Sequence, residues 1–161
     1  MSTIASFYRL PISAVDGLRE AFTPRMRWLS RPRYSSNDYL RQHGRQVVEY
    51  PWQGYVLVPL LIFLREEHQI DFLNSEYRTL TDDLAREASV TVIMLTQAHK
   101  QSYLAKLEQE PFREDQLRDY YNAFNEVSEP DSGKPMLDGV RALREALKHI
   151  EQGVVVLLVI G

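Results

Sequence analysis

Residues 89–95, SVTVIML, decide the fold. Seven residues rich in β-branched and apolar side chains, with no charge among them, give the clearest interior strand signal in the chain. The next segment, LTQAHKQSY, turns at once into a helix from about residue 98 to 108. On the other side Thr81, Asp82 and Asp83 open a helix that runs through about Glu87. A continuous apolar strand bounded on both sides by helices belongs in the middle of a covered sheet.

Toward the C-terminus, residues 114–127 form a helix with Leu117, Tyr120, Tyr121, Phe124 and Val127 on one face, at i, i+3, i+4, i+7 and i+10. Residues 128–135, SEPDSGKP, read as the most exposed loop. A helix over about 136–151 turns Leu137, Val140, Leu143, Leu147 and Ile150 inward, Gly153 breaks it, and 154–160 is a terminal strand. Toward the N-terminus, residues 54–67 are a buried helix in which Pro59 either makes a kink or marks the true start. Residues 46–52 suit a short strand. Residues 3–9, TIASFYR, are a strand ended by Pro11. Ser13 then caps a short helix with Asp16 three residues on, and Ile12, Val15, Leu18 and Phe22 form its buried face. The expected fold is α+β: a small mixed sheet containing both terminal strands, packed by five or six helices, in a single domain over 1–161.

One stretch breaks the pattern. Residues 23–45, TPRMRWLSRPRYSSNDYLRQHGR, hold two prolines, six arginines and one acid, and read as a long irregular excursion. A short helix at 37–43, capped by Gly44, is its one regular piece.

The composition is that of an ordinary globular protein, with 161 residues, 44% hydrophobic, 25% charged and a net charge of −3. It gives no global pull toward nucleic acid or anionic membrane. The absence of cysteine removes disulfides, thiolate nucleophiles, iron–sulfur clusters and sulfur-ligated zinc. The first twenty residues lack a basic leader and an apolar core, so they are not a secretory signal. The longest strongly apolar run, YVLVPLLIFL at 55–64, is half the roughly 20 residues a membrane span needs. The expectation is a soluble cytoplasmic protein. Fifteen arginines against four lysines point to a GC-rich genome, which weakens any argument that a given arginine was chosen for its forked geometry.

TIASFYRLP at the start, running into an amphipathic helix, and the last helix followed by VVVLLVIG at the end together resemble the YfbM-like family of uncharacterised bacterial proteins. The resemblance covers the first twenty and the last twenty-five residues. It implies an α+β fold and a bacterial source, and carries no activity to transfer.

The chain has no G-x-G-x-x-G, no G-x-x-x-x-G-K-[ST], no H-E-x-x-H and no G-x-S-x-G, and its seven glycines are too dispersed to cradle a phosphate. Among single residues His99 stands out. It follows the strong strand at its carboxyl end, where ligands collect in parallel sheets, with Lys100 beside it and Tyr103 one turn on. The plainer reading is a histidine in the first turn of a surface helix. EYPWQGY sets Tyr50, Trp52 and Tyr55 around Pro51 and Gly54, as the wall of a small-molecule pocket, as interface anchors, or as a packed core corner. Glu66, Glu67, His68 and Asp71 offer metal ligands at helical spacing, but with one histidine and no second ligand-rich segment no metal is expected.

Arg25, Arg27, Arg31, Arg33, Arg41 and Arg45, interleaved with Trp28, Tyr34 and Tyr39, have the composition of an anion or partner patch. The segment 108–131 carries eight acids against Arg113 and Arg118 only. The two segments can face each other within the fold or across a dimer, and that reading outweighs nucleic acid.

The leading expectation is a non-enzymatic soluble binding or protein-interaction protein, whose partner is another protein or a second copy. The alternative is a small-ligand binder or enzyme with a site near His99 and Tyr50, Trp52 and Tyr55. A second alternative is nucleic-acid or polyanion binding through 25–45. No cofactor and no membrane are implied.

Overall fold

A computed structural model describes residues 3–23 and 36–161. Four strands form one sheet: β1 (Ala5–Pro11), β2 (Arg45–Val48), β3 (Thr91–Leu95) and β4 (Val154–Ile160), in the order β2-β1-β4-β3. The described residues also hold seven α-helices: α1 (Leu18–Phe22), α2 (Ser36–His43), α3 (Leu57–His68), α4 (Arg78–Ala88), α5 (Gln97–Gln109), α6 (Glu114–Asn125) and α7 (Gly133–Lys148). The fold is α+β, and both terminal strands lie in the sheet. All three strand pairings are antiparallel, rather than mixed.

Alternation along the strands divides the core in two. Phe7, Ile93, Leu95, Val156, Leu158 and Ile160 point to one face, against α3, α5, α6 and α7. Leu10, Val92, Met94, Val155 and Leu157 point to the other, against α1, α2 and α4. Each such side chain contributes about 1.5–3 kcal/mol when it leaves water. β4 sits in the middle and has both faces covered, which is why its seven residues carry no charge.

β3 is an edge strand and not the interior one that its composition suggests. An uncharged run reports that helices cover both faces of a strand, and Val92 to Leu95 are indeed buried. It is silent about how many neighbours the backbone has. The positions beside β1 and β3 go to β4 instead.

Other boundaries move for local reasons. Ser13 caps no helix: β1 pairs through Pro11, Ile12 donates its N–H to Gly153, and residues 12–14 make a single 3-10 turn before α1 begins at Leu18. The strand expected over 46–52 stops at Val48. α3 follows a 3-10 turn (Gly54–Val56), with Pro59 in its first turn, so the proline marks the start and makes no kink. α4 begins three residues before Thr81, whose hydroxyl donates back to the Arg78 carbonyl. The loop expected at 128–135 is continuously exposed only through Asp131, and beyond it Lys134 alone is exposed. Ser132, Gly133 and Pro135 are buried, because α7 starts there with Gly133 against the Glu114 backbone.

Of the irregular stretch, residues 24–35 lie outside the described residues. The piece that follows is the expected short helix, α2, whose end is closed by the Gly44 N–H donating to Leu40. Among the described residues no helix is long and apolar enough to cross a membrane.

Candidate functional site

The aromatic segment 50–55 links β2 to the 3-10 turn that leads into α3, and it is sewn to the start of β1. Gly54 donates its N–H to the Thr3 carbonyl at 2.8 Å, and Thr3 donates its own to Oε1 of Gln53 at 3.1 Å. Gly54 is required there, since a side chain would run into the Ile4–Ala5 backbone.

Around that seam the three aromatics part company. Tyr50 is buried and donates its hydroxyl to the Pro135 carbonyl at 2.9 Å. Burial, and then the Asp138 charge, push its pKa well above the usual tyrosine value. Tyr121 of α6 is shifted the same way, by burial and by its hydrogen-bonding contact with Tyr55. Trp52 donates Nε1 to Oδ2 of Asp138 at 3.1 Å, and its ring lies 5.8 Å from the Lys134 ammonium. Lys134 at 2.9 Å and Arg141 at 2.6 Å complete the Asp138 carboxylate. Burial alone would raise the pKa of Asp138, but the three donors outweigh it and hold the group below its ordinary value.

The result is a rigid corner with large apolar groups on its outside. Ile4 is 62% exposed, Tyr55 45%, Phe124 45% and Trp52 36%. Phe124 follows Tyr121 by one turn of α6 and stacks on Tyr120. Of the residues expected on one face over 114–127, Leu117 and Tyr121 are buried and Tyr120 is half-buried, while Phe124 and Val127 run out into solvent. Asp138, Lys134 and Ile4 escaped the sequence reading, and Tyr121 and Phe124 entered it only as part of a helix face. Trp52 and Asp138 stand 86 residues apart and no motif joins them. The one available signal was an apolar stripe on α6 that continues past the last helical residue.

His99 is elsewhere. It is buried at the third position of α5, and Thr96 donates its backbone N–H to Nδ1 at 3.2 Å. Nδ1 is thereby an acceptor, so Nε2 carries the proton and donates to the Asn74 carbonyl at 2.9 Å. Both ring nitrogens are committed to backbone groups. Burial lowers the pKa, against the raising effect of the Asn74 bond. Tyr103 stacks on the ring and Phe72 meets it edge-on. The sheet does not bring His99 to Tyr50, Trp52 and Tyr55. Gly54 lies against Ala5 and Ile160 at one end of β4, while His99 follows Leu95, which faces Val156. The intervening strand is about 13 Å long. The antiparallel pairing also removes the parallel-edge argument for a ligand at His99.

Arg41 and Arg45 are exposed on α2 and at the start of β2. Arg25, Arg27, Arg31 and Arg33, with Trp28 and Tyr34, lie outside the described residues. Tyr39 donates its hydroxyl to the Ala14 carbonyl and packs on His43. Among the described residues no ion pair joins Arg41 or Arg45 to the acids of 108–131. Of those acids, Asp115 and Asp119 pair with the nearby Arg113 and Arg118, Glu108 with Lys148, and Glu110 with His68. The would-be metal ligands diverge: Asp71 accepts the Leu73 N–H, Glu66 takes Arg65 and Tyr120, and Nδ1 of His68 faces Glu110 at 3.5 Å. No three such groups among the described residues are placed to hold a metal ion.

No family model, curated protein or solved structure matches the chain.

Proposed function

We propose that this is a non-enzymatic, soluble, cytoplasmic protein that binds another protein through the corner formed by Ile4, Trp52, Tyr55 and Phe124. One observation carries the reading: Ile4, Trp52 and Tyr55 are exposed around the hydrogen-bonded seam at Gly54, with the Trp52 ring fixed by Asp138 and Lys134, and Phe124 is exposed one turn beyond Tyr121, which bonds Tyr55. Rigid aromatics lose little entropy on binding and are the usual energetic anchors of protein interfaces. The commitment of both His99 nitrogens to backbone groups argues in the same direction, because it leaves that histidine no free base to offer.

The test compares the wild-type chain with Tyr55→Ala/Phe124→Ala, both side chains being at the surface. Sedimentation across a hundredfold dilution reads self-association, and affinity capture with quantitative mass spectrometry reads other partners. A stoichiometric partner or a dilution-resistant dimer, lost in a variant whose melting temperature is kept, is the expected result. A monomer whose captured proteins are the same for both chains overturns the reading.

A further inference from the structure

The outer edge of β3 presents backbone groups that register identifies. Ile4 and Gly161 exchange both of their backbone hydrogen bonds, at 3.0 and 3.1 Å. The β1–β4 register then runs unbroken from Ala5 opposite Ile160 to Pro11 opposite Val154. Hydrogen-bonded and non-bonded pairs alternate in an antiparallel ladder, so the odd-numbered residues of β4 bond β1 and the even-numbered ones bond β3. Carried across the β3–β4 register, this puts Thr91, Ile93 and Leu95 in the ladder and turns the N–H and C=O of Val92 and Met94 outward. Beyond them the N–H of Val90 goes to the Ala85 carbonyl at 3.3 Å and that of Thr96 to His99. Val92 and Met94 have no such partner among the described residues.

A cleft of about 180 Å³ runs along this edge. On the strand side it is lined by five consecutive residues, 90–94. A cavity on a sheet face would touch every second residue, so this one lies edge-on. Its far wall is a single face of α4, with Arg78, Thr81, Asp82 and Ala85 at helical spacing, and residues 72–75 close it. Edges that natural proteins protect are short, bulged, charged or tightly covered. β2, at the other edge, has four residues, an exposed Arg45 and a bulged register at Phe7/Tyr8. β3 has no charge, no proline and a gap under its cover.

We propose that this slot binds an extended peptide segment of a partner protein by strand addition. Donors and acceptors repeating every second residue match only another extended backbone. Val92 and Met94 pair with a segment of about three residues, about 10 Å long. The α4 wall stands where a second sheet would have to approach, so two copies cannot join edge to edge here and one strand is what fits. Residues of β3 grow less exposed from Thr91 toward Met94, so the segment enters at the Thr91 end. This site is separate from the aromatic corner and stands or falls without it.

The probe is the blocked pentapeptide acetyl-Ala-Val-Thr-Val-Ala-amide at millimolar concentration, with its fully N-methylated analogue as control. Amide hydrogen exchange followed by NMR should slow at least tenfold at Val92 and Met94 with the peptide, and not at all with the analogue. Unchanged exchange at both residues overturns the proposal, and equal protection by the analogue does so too, since side-chain adhesion then accounts for binding. Val92→Pro, which removes an outward N–H, should remain folded and lose the peptide effect, whereas Ile93→Pro should unfold. A Val92→Pro chain as unfolded as Ile93→Pro overturns the assignment of the edge.

Discussion

Thr96 and His99 close on each other across the first turn of α5: the Thr96 backbone N–H donates to Nδ1 of His99, and the Thr96 side chain accepts the His99 backbone N–H in return. Glutamate or glutamine usually occupies the second place in this reciprocal cap. A histidine there adds a third bond, from Nε2 to the Asn74 carbonyl, which ties the helix start to the segment before α4. It also makes the cap depend on a neutral ring.

His99→Gln should therefore cost about 1–3 kcal/mol at pH 7.5 in chemical denaturation, because one glutamine side chain cannot serve both backbone groups at once. The pH dependence has a definite sign. The folded pKa lies below the unfolded value of about 6.5, so the unfolded chain takes up its proton first as pH falls. The contribution is complete above that value and is lost as pH drops toward the folded pKa. Stability measured at pH 7.5 and at pH 5 should fall more for the wild type than for His99→Gln. Equal losses would show that His99 does not titrate with folding.

Asp138 is the hub of the aromatic corner, and Asp138→Ala strands the donors of Trp52, Lys134 and Arg141 together. A loss of about 1–2 kcal/mol is expected, at the low end for a hub because Lys134 and Arg141 remain in water. The carboxylate is held below its ordinary pKa, so its contribution is present above about pH 4 and fades as pH falls through the folded value. Acid unfolding followed by circular dichroism should begin at higher pH in the variant.

Three helices end on a left-handed residue that is not glycine: Gln69, Ser89 and Glu126, with φ near 55°. Gly153 holds a φ of 78° with open space where a side chain would stand. The two sites predict opposite signs. Glu126→Gly should stabilise by about 0.5–1 kcal/mol, and Gly153→Ala should destabilise by about 1 kcal/mol through conformation alone. Thermal melts of the two variants check both.

Leu117 and Phe124 lie two turns apart on α6 but in different surroundings, fully buried and 45% exposed. Leu117→Ala should cost about 2–5 kcal/mol and Phe124→Ala less than about 1 kcal/mol. A large loss at Phe124 would mean that its ring holds the fold together and is not free to engage a partner.

Much of the architecture was legible because burial on a face writes itself into a chain as spacing. The uncharged runs at 89–95 and 154–160 gave both strands, and the period of α7 survived its displaced start. What stayed hidden is what spacing does not encode. β3 and β4 look alike in composition, yet one is an edge and the other the centre, since only backbone pairing separates them. Helix ends at Gln69, Ser89 and Glu126 carry no glycine to announce them. In the same way Trp52 was visible as an aromatic, while Asp138, which fixes it, came from a helix 86 residues on. His99 was singled out by its place after the strand, but its role depended on Thr96 and Asn74, two residues with no distinctive pattern.

The central position of β4 has a kinetic side. β1 and β3 meet only through it, yet it is the last of the four strands in the chain. A lengthening chain therefore makes β1, β2 and the β3 segment before the strand that joins them. In that interval the unpaired edges of β1 and β3 await one seven-residue segment. Closing loops of this length ahead of the reward slows folding, and the waiting edges are exposed to the wrong neighbours meanwhile. Folding speed and yield should thus hinge on the arrival of residues 154–160 more than on any helix.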